Sequence, residues 1–184
     1  MSSTNRGSLR STDDFYETPH WTTELLMRNL DINEVKYSPI LEPSCGKGKI
    51  IDVLTQYYQD ITGVDINPEF NPDIVSNFLS WIPDRQYKTI ITNPPFTYAQ
   101  EFIEKSIEIN PYGRNIFLLR LNFLESKKRY DFWKSNMPSQ ILVLSERPKF
   151  YLNKTDSIAY AWFIWEPHKG DTRISIISKR DLDE

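Results

Sequence analysis

Two short stretches of this chain combine residue types that can do chemistry. The first is Leu41-Glu42-Pro43-Ser44-Cys45-Gly46-Lys47-Gly48, a carboxylate followed by a glycine-bearing turn. Glycine lets the backbone bend tightly and approach a ligand closely. The spacing is neither GxxxxGK[ST] nor GxGxxG, since Ile51 stands where a third glycine belongs. A carboxylate ahead of the loop repels a pyrophosphate and suits an ammonium group. Asp65 follows about 20 residues on, where an acid can accept hydrogen bonds from both hydroxyls of a ribose. Asn77 and Phe78 offer a polar contact and a ring edge to an adenine. An ammonium, a ribose and an adenine without phosphates together describe S-adenosylmethionine. A G-x-G turn alone is more often an ordinary structural turn; the acids before and after it reverse that in favour of the ligand reading.

The second stretch is Asn93-Pro94-Pro95-Phe96. Two prolines fix φ near about −65° and donate no hydrogen bond, so they turn the chain sharply with their carbonyls in set directions. The Asn93 side-chain oxygen and the Pro94 carbonyl could then accept from one amino group, and the Phe96 ring could stack on the base that bears it. An exocyclic purine amine is a poor nucleophile because its lone pair is delocalised into the ring. Two acceptors on its hydrogens favour the pyramidal, reactive geometry. The plain alternative is a turn that ends a strand.

These residues need elements to position them. Trp21, Leu25, Leu26 and Leu30 have helical spacing after Pro19, and Ile40-Leu41 is a short strand closed by Glu42-Pro43. Ile50, Ile51, Val53 and Leu54 open a helix expected to run through Tyr58, and strands are expected at 61–66, 73–75, 88–92 and 116–121. Phe102, Ile103, Ile107 and Ile109 mark another helix, and 125–135 reads as a polar one. Segments 141–144 and 159–165 read as an antiparallel hairpin, with 174–177 as an edge strand. Strands alternating with helices imply an α/β fold, a doubly wound and mostly parallel sheet. Ligands of such sheets sit at the carboxyl ends of the strands, which points to Glu42, Asp65, Asn77 and Asn93.

The chain has 184 residues, a size that suits one domain with a core large enough to need no disulfide or structural metal. The single cysteine excludes an internal disulfide, and His20 and His168 lack a metal-ligand spacing, so no metal site is expected. No apolar run approaches the roughly 20 residues of a membrane span, and the polar start lacks a secretory segment. A cytoplasmic protein is therefore expected, with 1–14 a flexible leader and 15–184 a single domain. The net charge of −3 hides an asymmetry: residues 41–113 carry −5 and residues 114–154 carry +6. A local basic field can hold phosphate whatever the total charge, though a basic stretch is as often only a solvated face.

The motifs Glu42 to Gly48, Asp65-Ile66-Asn67 and Asn93-Pro94-Pro95-Phe96 resemble motifs I, II and IV of amino-group methyltransferases, above all DNA adenine-N6 methyltransferases. Phe15-Tyr16-Glu17-Thr18-Pro19 resembles motif X, which precedes motif I in the gamma arrangement. Arg147-Pro148-Lys149-Phe150, with Thr155-Asp156 and Tyr160 to Trp165, is similar to the tail of small phage and prophage methyltransferases. The resemblance implies a class I methyltransferase fold that uses S-adenosylmethionine to methylate adenine N6 in DNA. An RNA base or a protein glutamine amide is the alternative acceptor, and a non-catalytic cofactor-fold subunit the alternative role. It further implies that Tyr16 and Thr18 touch the methionine end of the cofactor. Glu42, Ser44 and Gly46 line it, Asp65 with Ile66 holds the ribose, and Asn77 with Phe78 meets the adenine. Asn77 departs from the acid common at that position. Asn93 and Pro94, followed by Pro95, grip the target amine beside the cofactor, with Phe96 and Phe150 around the flipped base. No separate target-recognition domain fits in this length. Recognition then falls to the basic stretch (Arg114, Arg120, Lys127, Lys128, Arg129, Arg147, Lys149, Lys154) or to a second subunit, with no membrane partner.

Overall fold

The structure is a computed structural model that describes residues 17–150, 157–167 and 170–183. The expectations for the 1–14 leader, Tyr16, Lys154, Thr155-Asp156 and His168 lie outside the described residues.

Helix α1 (His20–Arg28) starts directly after Pro19 and buries Leu25, Leu26 and Met27. A short α2 (Glu34–Tyr37) precedes β1 (Ile40–Glu42), α3 (Lys49–Leu54) and β2 (Ile61–Asp65). Then follow β3 (Ile74–Val75), β4 (Thr89–Thr92), α4 (Ala99–Ile109) and β5 (Arg114–Arg120). The chain continues through α5 (Tyr130–Ser135), β6 (Gln140–Leu144), β7 (Tyr160–Trp165) and β8 (Arg173–Ile177). The eight strands form one sheet in the order β3-β2-β1-β4-β5-β7-β6-β8. Strands β1 to β5 pair in parallel; β7 runs antiparallel to both β5 and β6, and β8 is parallel to β6.

Alternation along the strands explains the two layers. Ile116 and Leu118 of β5, with Tyr160, Trp162 and Ile164 of β7, join the core under α1 and α3. Their neighbours Phe117, Leu119, Ala161, Phe163 and Trp165 join a second core under α4 and α5. Side chains of a strand alternate between faces, so a strand apolar at every position must be covered on both. Trp162 also donates its Nε1–H to the Thr22 carbonyl (2.8 Å), which ties α1 to the sheet.

The doubly wound sheet agrees with the α/β expectation, and 141–144 and 159–165 pair antiparallel as expected. Strand β8 takes the sheet edge, as expected for 174–177. All six positions of β7 are buried, and the strand enters between β5 and β6, where both faces and both edges are covered. Helix α3 stops at Leu54 instead of reaching Tyr58, and its last carbonyls are satisfied by the Thr55, Tyr57 and Tyr58 N–H groups in tight turns. The expected polar helix over 125–135 is broken: Ser126 accepts from the Lys128 N–H and starts a 3₁₀ turn, and only 130–135 is α-helical. Side-chain bonding of this kind competes with helix continuation. That short helix is not polar inward, since it buries Phe132 and Trp133.

The order β3-β2-β1 runs one way from β1, and β4-β5 the other. Such a reversal opens a crevice at the carboxyl ends of the central strands.

Candidate active site

A cleft of about 670 Å³ fills that crevice. Thr18, Glu42, Ser44, Gly46, Asp65, Ile66, Asn77, Phe78, Asn93 and Pro95 all line it, so most of the residues singled out from the sequence meet in one place. Pro94 is buried beside them.

The turn after β1 is shaped by its glycines, since Gly46 (φ 49°) and Gly48 (φ 75°) both occupy the left-handed region. The Asp65 carboxylate fastens this turn: Oδ2 accepts the Gly46 N–H (2.8 Å) and Oδ1 the Asn67 N–H (2.9 Å). Each carboxylate oxygen has two acceptor sites, so Asp65 keeps acceptor capacity for a ligand hydroxyl while holding the loop.

Glu42 is 2% exposed, and its Oε2 is buried with no hydrogen-bond partner among the described residues. Burial, reinforced by the Asp65 charge, pushes its carboxyl well above the usual range, against a smaller pull from the Ile51 N–H. A buried acid with an orphaned oxygen in a cleft calls for a cation or a proton. Cys45 is likewise no nucleophile: burial, then the charges of Glu42 and Asp65, push its thiol up to about 12.

The two sequence stretches are joined by hydroxyls. Ser44 Oγ lies 2.6 Å from Thr92 Oγ1 and within 3.4 Å of the Asn93 carbonyl, linking the turn after β1 to the end of β4. Asn93 Nδ2 donates to Thr18 Oγ1 (3.1 Å), which leaves the amide oxygen as the acceptor end, shielded from solvent. At the far end, the Asn77 amide oxygen accepts the Leu79 N–H (3.1 Å), and its NH₂ remains as a donor. Phe78 is buried and tilted against Phe102 (5.0 Å).

Other residues fall elsewhere. Phe96 does not line this cleft; it walls a neighbouring cavity of about 310 Å³ with Arg120, Asn122, Phe123, Glu125 and Arg129. The Arg120 guanidinium lies 4.4 Å over the Phe96 ring and donates through Nε to Tyr160 Oη (3.0 Å). Phe150 is buried against Tyr160 (4.8 Å), whose ring in turn packs on Phe96 (5.8 Å). Arg114 begins β5, at the opposite end of the sheet from the cleft. It is 3% exposed, sits 3.5 Å over Tyr37 and lies 3.4 Å from Glu166, which removes it from any phosphate-binding face. The Arg129 guanidinium is committed to the Phe123 and Glu125 carbonyls (2.8 Å each). Lys127, Lys128, Arg147 and Lys149 are exposed.

In the sequence Arg120 is one basic residue among eight, 40 positions from the Tyr160 hydroxyl that it bonds. The strand-end rule could have singled it out, because it closes β5 as Glu42 closes β1. The ion pair of Lys47 with Glu17 beside the cleft also went unforeseen.

No protein-family model matches the chain. Among curated proteins it is similar to the type II methyltransferase M.CvrRI of Paramecium bursaria Chlorella virus XZ-6E, at 31% identity over 98 residues. That match covers 47% of this chain and only 25% of the relative's length. Among solved structures it resembles a Listeria monocytogenes protein assigned to the class I S-adenosylmethionine-dependent methyltransferases (TM-score 0.66, 15% identity, 91% of this chain and 68% of that one). It also resembles the M protein of the type I restriction enzyme EcoKI (TM-score 0.65, 16% identity, 86% of this chain and 45% of that one). At these identities the likeness establishes the architecture: the chain has the class I methyltransferase fold.

Proposed function

We propose that this protein is an S-adenosylmethionine-dependent methyltransferase that transfers a methyl group to the exocyclic N6 amine of adenine in DNA. The observation that carries this reading is that Glu42, with its orphaned buried oxygen, and Asn93, with its amide oxygen, occupy one cleft at adjacent strand ends. The likeness to a type II methyltransferase and to a type I modification subunit supports DNA as the acceptor.

The cleft fits the cofactor on its own terms. Glu42 offers a buried anion for the ammonium, Asp65 has acceptor sites for the ribose, and Phe78 with the Asn77 amide offers an apolar and polar pair for the adenine. When bound, S-adenosylmethionine supplies a methyl group on a sulfonium and leaves as a neutral thioether. Asn93 then accepts a hydrogen bond from the target amine, aided by the Pro94 carbonyl, and raises the electron density on nitrogen as the new N–C bond forms. Thr18 restrains the Asn93 amide by accepting from its NH₂, which limits the rotation that would exchange its oxygen and nitrogen. The surplus proton of the methylated amine passes to water, and no side-chain base is required.

Incubation with methyl-labelled cofactor and unmodified DNA, RNA or protein tests the reading, followed by identification of the labelled product. Label in N6-methyladenine of DNA is the expected result. Label only in RNA or in protein glutamine replaces the acceptor, and cofactor binding without transfer to any of the three makes the chain a non-catalytic subunit. Asn93→Ala should reduce transfer by about 10²-fold or more while the cofactor Kd changes by no more than a few-fold. Undiminished turnover would remove Asn93 from the mechanism.

A further inference from the structure

The cavity of about 310 Å³ beside the cleft shares Phe96 with the Asn93-Pro94-Pro95-Phe96 segment and lies at the carboxyl end of β5. Its walls are two aromatic rings, each capped by an arginine: Arg120 over Phe96 and Arg129 over Phe123, both at 4.4 Å. The loop that supplies its floor, residues 121–125, contains only a 3₁₀ turn, yet it is tied down at several points. The Leu121 N–H reaches the Ala159 carbonyl (2.8 Å), the Glu125 N–H reaches the Asn122 carbonyl (3.0 Å), and Arg129 holds the Phe123 and Glu125 carbonyls. The side chains of Asn122 and Glu125 stand exposed on this fixed loop.

The chemistry of that lining is selective. A plain phosphate site would not include a carboxylate, because Glu125 repels the anion. A purely apolar site would not include two guanidinium groups and an amide. A nucleobase suits the set: its face can lie on the Arg120 guanidinium, and its edge can exchange hydrogen bonds with an amide and a carboxylate. Carboxylates accept from the amino group of cytosine, and asparagine pairs with the amino and ring nitrogens of adenine.

We propose that this second cavity binds the nucleotide next to the methylated one and sets the sequence preference of the reaction, with Asn122 and Glu125 as the reading residues. The inference rests on the reading of the chain as a DNA methyltransferase and extends it. It gives the catalytic domain its own source of specificity. The preferred neighbour is cytosine or adenine, the two bases whose amino group lies on the major-groove edge, because Glu125 can only accept.

The test uses duplexes with a fixed target adenine and randomised neighbours, methylated by the full chain and read by sequencing of N6-methyladenine at that fixed position. The wild-type protein should favour cytosine or adenine at one neighbouring position by about tenfold. Glu125→Gln and Asn122→Ala should each weaken that preference at least fivefold at that position alone, with cofactor Kd shifted less than twofold. Both residues are exposed, so neither substitution opens a cavity in the core. An unchanged profile in both variants overturns the proposal, as does a wild-type protein indifferent to its neighbours. Loss of transfer on every sequence by a folded Asn122→Ala also overturns it, and assigns the cavity to the target base instead. A wild-type protein that labels no DNA fails one step earlier, and overturns the acceptor assignment together with this one.

Discussion

At the scale of single residues, Glu42 ties the chemistry of the cleft to pH. Its carboxyl is raised by burial and by Asp65, so the empty protein keeps a proton there to higher pH than the unfolded chain does. A raised carboxyl contributes stability at low pH that is lost as pH rises through the folded value. An ammonium group in the cleft reverses this preference, because it pairs only with the ionised form. Cofactor affinity should therefore fall as pH is lowered through the raised range of Glu42, with proton release on binding. Glu42→Gln should flatten that dependence and weaken binding about 10- to 100-fold, the value of a charged hydrogen bond. It should also leave the empty protein at least as stable near neutral pH, since the amide is buried neutral without taking up a proton. Calorimetric titration between acidic and neutral pH checks both, and an unaltered pH profile in the variant would assign the dependence to another group. Much of this site was legible beforehand, because Glu42, Asp65 and Asn93 each stand at the end of a recognisable strand. The bonds that lock them, Thr18 to Asn93 and Ser44 to Thr92, join residues 75 and 48 positions apart. Neither has a local signature. The Arg129 charge was visible in the sequence, but its commitment to two carbonyls appears only once the 121–125 loop closes on it.

At the scale of elements, a tight junction between α4 and β5 sets the start of the strand that ends in Arg120. Gly113 lies there with no room for a side chain: a Cβ would come within 2.5 Å of the Lys88 carbonyl and 2.1 Å of Asn110 Oδ1. Asn110 is itself engaged, donating to the Asn115 side chain and the Arg114 carbonyl (3.3 Å each), so it cannot move aside freely. Gly113→Ala should lower stability by about 1–3 kcal/mol, the range for overpacking. Denaturant unfolding measures the loss, and a variant as stable as the parent would show that the junction can shift at no cost. The Pro111-Tyr112-Gly113 turn was readable, as was helix α4 from its apolar spacing. The placement of β7 was not. A run such as Tyr160 to Trp165 announces burial on both faces, yet nothing local says which strands it separates. Its insertion between β5 and β6 follows from the need to cover Trp162 with α1 and Trp165 with α5, a condition that involves the whole sheet.

At the scale of the molecule, charge is distributed so that the acidic end of the sheet's central strands faces the cofactor cleft while exposed cations lie farther along the chain. The overall −3 therefore does not forbid DNA binding, but it makes any such binding depend on a few local cations. Of the basic residues in 114–154, Arg114 and Arg129 are consumed by the fold, whereas Lys127, Lys128, Arg147 and Lys149 remain exposed. Lys127 and Lys128 lie on the 3₁₀ turn between the loop of the second cavity and α5, close in sequence to the proposed base-reading residues. Each phosphate contact steepens the fall of log K with log salt by about 0.9, through counterion release. The Lys127→Ala/Lys128→Ala double variant should thus bind DNA with a slope shallower by about 1.8 and weaker affinity at low salt. Its neighbour preference should be unchanged, because phosphate contacts carry no sequence information. Fluorescence anisotropy across a salt series measures the slope, and a slope equal to that of the wild-type protein would move the DNA-binding face away from this turn and toward Arg147 and Lys149.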